Sequence, residues 1–195
     1  MGNCETSNTV IGDPQFQQIG SEAQARNFSS TYKSEYVEVH GNLAVVEEQE
    51  EGGLVLLDEP AKEQDILKVK ICCDTIQTSI GIGIVDFDIV KETDFSGNCN
   101  YGLDHGMWIV YSDKLVAASN DEDLDKKSLG IEVKQGDIIE CIRNGNVFSI
   151  RKAGENNKQI NFKLPPNKNY RFAAYLFSGW DSKEAKVSEA RMETL

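Results

Sequence analysis

Asp121, Asp123, Asp125 and Glu132 in the stretch DEDLDKKSLGIE stand at ligand positions 1, 3, 5 and 12 of a calcium-binding EF-hand loop. The same stretch puts Lys126 where that loop needs a glycine to turn, and no helical pattern flanks it, so a solvated acidic connection between strands explains it more simply. In DFDIVKE, Asp86, Asp88 and Glu92 supply carboxylates. On a strand the two aspartates would share one face, as a glycan-cleaving or glycan-binding sandwich would need. Ordinary edge-strand polarity accounts for them as well. No G-x-S-x-G, P-loop, H-E-x-x-H or zinc-spaced Cys/His set occurs, and the chain has only two histidines, His40 and His105. Nothing in these residues points to a catalytic group or a cofactor.

The N-terminus, MGNCETSNTV, carries a different chemistry. With Met1 removed, Gly2 would present an amine for myristoylation, Thr6 stands where that pattern wants a hydroxyl, and Cys4 is placed for a second, thioester-linked chain. One myristoyl chain gives only reversible membrane binding. The usual polybasic support is missing, because Glu5, Asp13 and Glu22 outnumber Arg26 before Tyr32. Firm attachment would therefore depend on Cys4.

Charge and composition narrow the classes. The 195 residues carry a net charge of −12, which disfavours nucleic-acid backbones and anionic surfaces. A hydrophobic fraction of 39% and an aromatic fraction of 8% support a real core. No apolar run approaches the ~18 residues of a membrane span, and no signal-peptide pattern opens the chain. Cys4, Cys72, Cys73, Cys99 and Cys141 form an odd set without a C-x-x-C. That usage fits a reducing, cytoplasmic setting. Cys72, Cys73 and Cys141 lie in apolar runs and read mainly as small core residues.

These residues must be carried by β-structure. Residues 1–33 read as a polar tail, with a short helix after Pro14. From Tyr36 onward short β-rich runs follow closely: EYVEV, NLAVVE, LVLL, ILKVKICC, SIGIGIV, MWIVY, KLVAAS, DIIECIR, VFSIRK, YRFAAYLF and KEAKVSEA. Turn residues such as Gly52-Gly53 and Asn144-Gly145 separate them. The pattern predicts an all-β antiparallel sandwich over 34–190, followed by a short C-terminal tail, 191–195. ECIRNGNVFSI reads as a tight hairpin. YRFAAYLF, apolar on both alternating sets, predicts a strand covered on both sides.

Four stretches, in order, give the sandwich a family likeness. ILKVKICC, SIGIGIVD, GMWIVYSDKLVAAS with Trp108, and GDIIECIRNGNVFSI followed by YRFAAYLF resemble the successive motifs of the SPRY domain. Leu67 stands where many members carry Trp. The resemblance implies a concanavalin-like jelly roll that is not an enzyme and that grips a protein or peptide through loops at one edge. Tyr101, Leu103, Asp104 and His105 precede Trp108 in such a loop, and Trp180 follows YRFAAYLF. Tyr101, Asp104, His105 and Trp180 are the expected partner contacts, whereas Trp108 reads either as a binding anchor or as core. The expected role is an adaptor on the cytoplasmic side, tethered by acylation at Gly2 and Cys4; a structural component of a cytoskeletal or axonemal assembly is the alternative.

Overall fold

A computed structural model describes residues 25–46, 51–75, 78–97, 103–122, 131–155, 158–181, 186–188 and 190–195. Its strands are β1 (Phe28–Lys33), β2 (Glu38–His40), β3 (Leu43–Val46), β4 (Gly52–Leu57), β5 (Gln64–Ile71), β6 (Ser79–Asp86), β7 (Met107–Tyr111), β8 (Val116–Ala118), β9 (Ile138–Asn144), β10 (Val147–Lys152), β11 (Gln159–Lys163), β12 (Tyr170–Phe177), β13 (Gly179–Asp181), β14 (Lys186–Ser188) and β15 (Ala190–Thr194). They form a six-stranded sheet in the order β1-β4-β12-β6-β7-β8, a seven-stranded sheet in the order β11-β10-β9-β5-β15-β3-β2, and a small β13-β14 ribbon. Pairing among the described residues is antiparallel throughout, with β6 aligned on β12 from Ser79↔Phe177 to Asp86↔Tyr170.

Alternation explains how the two large sheets meet. In β5, Leu67, Val69 and Ile71 are buried, while Lys68 is half-buried and Lys70 exposed. β9 repeats the pattern with Ile139 and Cys141 inside and Glu140 outside. Glu140 takes ion pairs from Lys68 at 3.3 Å and Arg151 at 2.8 Å across the outer face. Inward residues of both sheets form one core, in which Phe148 stacks on Phe162 and reaches Phe172 of the opposite sheet. Burying each such side chain contributes about 1.5–3 kcal/mol.

The six-stranded sheet is covered on its other face too. Leu54, Leu56, Val85, Met107, Ile109 and Ala173 point away from the main core and pack beneath Phe87, Val90 and Phe95. This cover is a short helix, α1 (Phe87–Val90), a 3₁₀ turn (Lys91–Thr93) and the residues that follow. It starts because β6 ends at Asp86, whose carboxylate accepts the Asp88 N–H as an N-cap. Double coverage is why Tyr170–Ala174 and all of β7 are buried, as the apolar runs predict.

Several expectations change. Asp86 and Asp88 do not share a strand face: the chain leaves the sheet between them, and Asp86 is only 1% exposed, with Lys168 Nζ 3.2 Å from its Oδ2. A buried, capped and ion-paired carboxylate is not presented to a glycan. Both domain boundaries move outward. β1 lies within the segment read as tail; its run FSSTYK is polar, yet it buries Phe28 and Ser29 against β4. β15 takes up most of the segment read as C-terminal tail, sits between β5 and β3, and buries Met192 and Thr194. Gly52 and Gly53 open β4 instead of forming a turn. QINFK, not read as a strand, is edge strand β11. The hairpin is present with its loop at Gly145-Asn146; Asn144 pairs with Val147, and only Gly145 (φ +58°) has positive φ, the pattern of a II′ turn. The helix expected after Pro14 lies outside the described residues.

Candidate docking cleft

The two ends of the sandwich are built differently. At one end β4 begins and β1 and β12 finish. Here Lys33, Ser34, Glu35, Tyr36, Gly52, Asp94, Phe95 and Ser96 line a cleft of about 480 Å³, within the range of ligand pockets. Leu54 holds both walls: its carbonyl accepts the Ser34 N–H at 2.8 Å, and its N–H donates to the Phe95 carbonyl at 2.7 Å. Buried Ser34 donates its hydroxyl to the Gly52 carbonyl at 3.2 Å. Behind the cleft, buried Gly53 must be glycine, because a Cβ there would lie 2.3 Å from Ser34 Cβ and 2.9 Å from the Phe95 carbonyl oxygen.

The second wall is strained. Asp94 (φ +49°) and Phe95 (φ +56°) are consecutive non-glycine residues in the left-handed region. Each such residue costs of order 1–3 kcal/mol and persists only where its surroundings hold it. The Phe95 side chain packs on the second core and its carbonyl is fixed by Leu54, which together hold it. Lys33 points its ammonium to the Ser34 carbonyl at 3.3 Å. Among the described residues neither Glu35 nor Asp94 has a basic partner within 4 Å, and both are exposed.

At the opposite end several polar groups bond within the chain, although the exposed Asp104 carboxylate has no basic partner within 4 Å among the described residues. Asp104 (φ +66°) is exposed and donates its N–H to the Ser119 carbonyl at 2.6 Å. His105 is half-buried, and its Nδ1 accepts the Met107 N–H at 3.1 Å, so a neutral ring carries its proton on Nε2. Gly106 N–H donates to Ser119 Oγ at 2.8 Å. Trp108 is a core residue: it is 2% exposed, meets Tyr170 edge-on at 5.7 Å, and donates Nε1–H to Asn120 Oδ1 at 2.7 Å. Asn120 passes the connection to the Lys163 carbonyl at 3.0 Å. The Tyr170 hydroxyl donates to the Pro165 carbonyl at 2.7 Å; burial first, and then the charge of Asp86, push its pKa up to about 12. Arg26 closes the same end through Asp65 at 3.0 Å.

The expected partner contacts are therefore divided. Asp104 and His105 sit together at the closed end, away from the cleft. Trp180 lies on β13, which continues from β12 beyond the cleft end, and pairs with Val187. Tyr101, Gly2 and Cys4 lie outside the described residues, as do Asp123 and Asp125. Of the calcium-like set, Asp121 donates its N–H in a turn to Ala118 and Glu132 pairs with Lys134 at 3.2 Å. No group of three or more His, Cys, Asp or Glu able to hold a metal occurs among the described residues. Cys73 and Cys141 are buried. Burial, with Glu193 adding to it, raises the Cys72 thiol pKa, and burial raises that of Cys141, which makes both poor nucleophiles. The cleft residues gave a weaker signal in sequence; the turn-rich string DFSG is the one local hint.

The comparisons with known proteins bear on the fold. The SPRY domain of human HERC1 superposes with a TM-score of 0.58 at 13% identity, covering 86% of this chain and 96% of that one. The Drosophila melanogaster neuralized NHR1 domain gives 0.55 at 13% identity, covering 89% of this chain and 99% of that one. A solution structure of the neuralized NHR domain from Drosophila melanogaster gives 0.51 at 13% identity, covering 90% and 94%. No protein-family model matches the sequence, and no curated protein matches it. The sandwich is a divergent SPRY-like fold, as the motif resemblance implies.

Proposed function

We propose that this SPRY-like sandwich is a non-enzymatic protein-docking module, an adaptor that takes a segment of another protein into the cleft at Lys33–Tyr36 and Asp94–Ser96. The observation that carries this reading is the contrast between an open, aromatic-lined cleft at one end and polar groups bonded within the chain at the other. A rigid sandwich suits such a role, because walls already fixed by Leu54 lose little entropy on binding. The SPRY and neuralized-homology likeness supports an interaction-module fold. The test is capture of a partner by the immobilised full chain. Filling the cleft with Ser96→Trp should abolish capture without unfolding the domain. Capture that survives this change while Leu103→Ser abolishes it would move the docking edge to the other end.

The reading extends to location. A protein acylated at Gly2, and then at Cys4, would hold the domain on the cytoplasmic face of a membrane through its polar tail. Among the described residues no helix is long and apolar enough to cross a membrane. Intact-mass analysis of the native protein should show an added acyl mass that Gly2→Ala removes. An unmodified native mass would end the tether proposal and leave the docking proposal untouched.

A further inference from the structure

We infer that the cleft receives an arginine side chain from an extended segment of the partner. This rests on the reading of the cleft as the docking edge and adds the chemistry of its occupant. Three observations lead there. First, the cleft wall carries two exposed carboxylates, Glu35 and Asp94, without basic partners among the described residues, against the single ammonium of Lys33, which already faces the Ser34 carbonyl. A net acidic lining within a chain of charge −12 favours a cation and repels an acidic segment.

Second, the cleft is lined by two aromatic residues, Tyr36 and Phe95. A guanidinium is planar and weakly hydrated, so it can lie on an aromatic face and still offer its edge to a carboxylate; an ammonium does this less well. Third, the molecule already holds an arginine this way toward its other end. Arg171 is buried with its guanidinium carbon 4.6 Å from the Tyr32 ring centre and 4.8 Å from that of Phe87, and it donates to the Leu57 and Asp58 carbonyls. Tyr32 and Tyr36 belong to the same stretch of chain, as do Phe87 and Phe95. The cleft draws one aromatic residue from each of the same two stretches, with carboxylates in place of the carbonyls that serve Arg171.

The experiment titrates the isotopically labelled full chain with the peptide acetyl-Gly-Ala-Arg-Ala-Gly-amide and follows backbone amides by NMR. Two control peptides replace the arginine with uncharged citrulline or with glutamate. The arginine peptide should shift the amides of Lys33–Tyr36 and Asp94–Ser96 saturably, and the citrulline and glutamate peptides should not saturate in the same range. Glu35→Gln with Asp94→Asn should weaken arginine binding about fivefold, the scale of two partly exposed ion pairs. Asparagine tolerates the left-handed region well, so this double variant keeps the wall geometry; its thermal midpoint should match that of the wild type. Equal binding of arginine and citrulline, or unchanged affinity in the double variant, would overturn the inference. Saturable binding of the glutamate peptide in the cleft would also overturn it while leaving the docking reading intact. An arginine peptide that leaves the cleft amides unshifted overturns it as well, and Ser96→Trp capture then decides separately whether the cleft docks anything.

Discussion

The cleft end and the closed end of this sandwich draw on the same loop-forming residue types and use them in opposite ways. At the closed end Asp86, His105, Trp108, Ser119, Asn120 and Tyr170 each bond within the chain, Asp86 and His105 to backbone two residues on and Asn120 across to Lys163 of the other sheet, so these polar atoms are engaged in the fold. At the cleft end two consecutive residues are held in the left-handed region, against single ones at Asp104 and Asn167, and the carboxylates of Glu35 and Asp94 line an open cleft with no basic partner among the described residues. Polar residues that complete a fold and polar residues left for a partner are indistinguishable by type. Their partners tell them apart.

That difference predicts that variants at the closed end change stability, whereas variants at the cleft end change binding. The largest effect should come from Trp108→Ala, which removes a buried indole and its bond to Asn120: about 3–5 kcal/mol lost in urea unfolding. A loss under 1 kcal/mol would mean that this end is not the structural one. Next is Tyr170. With a folded pKa near 12 against an ordinary value of 10.0, the ring stays neutral in the folded chain while it ionises in the unfolded one. Stability is therefore unaffected below about pH 10, falls between 10 and 12, and levels off above, by about 2–3 kcal/mol in all. The stability gap between wild type and Tyr170→Phe, followed by denaturant melts, should narrow across that window.

Smaller effects sharpen the other side. Asp94→Gly removes the Cβ cost of a left-handed residue and should raise stability by up to about 1 kcal/mol. The same variant should weaken partner capture, which pairs a stability gain with a functional loss. A destabilised Asp94→Gly would show that the wall is not strained. His105→Ala should cost only about 1 kcal/mol, the worth of one hydrogen bond, and leave capture unchanged.

How much of this was legible in the sequence follows from the same physics. Period-two alternation in ILKVKICC and the two-sided apolarity of YRFAAYLF reflect burial that each strand needs on its own account, so both strands could be read directly. FSSTYK and RMETL could not. They bury only Phe28 and Ser29, or Met192 and Thr194, and are held by neighbours far along the chain. The helix after Asp86 was hidden because FDIV alternates as well as a strand does; the Asp86 cap decides, and a cap is visible only once the chain turns. The expectation of Asp104 and His105 as contacts comes from their loop before a tryptophan, and nothing local shows that the Asp104 N–H and His105 Nδ1 bond within the protein while the Asp104 carboxylate stays exposed. The cleft joins residues some sixty positions apart in sequence (Lys33–Tyr36 and Asp94–Ser96), a proximity created by pairing through Leu54 that no short motif encodes.

Site-specific photo-crosslinking compares the two ends most directly. A benzophenone side chain placed at Ser96 or at Leu103, both exposed, would be irradiated in the presence of a cell extract. A discrete crosslinked partner from position 96, competed away by unlabelled protein and missing from position 103, is the predicted result. The same partner appearing from position 103 and not from 96 would contradict the account.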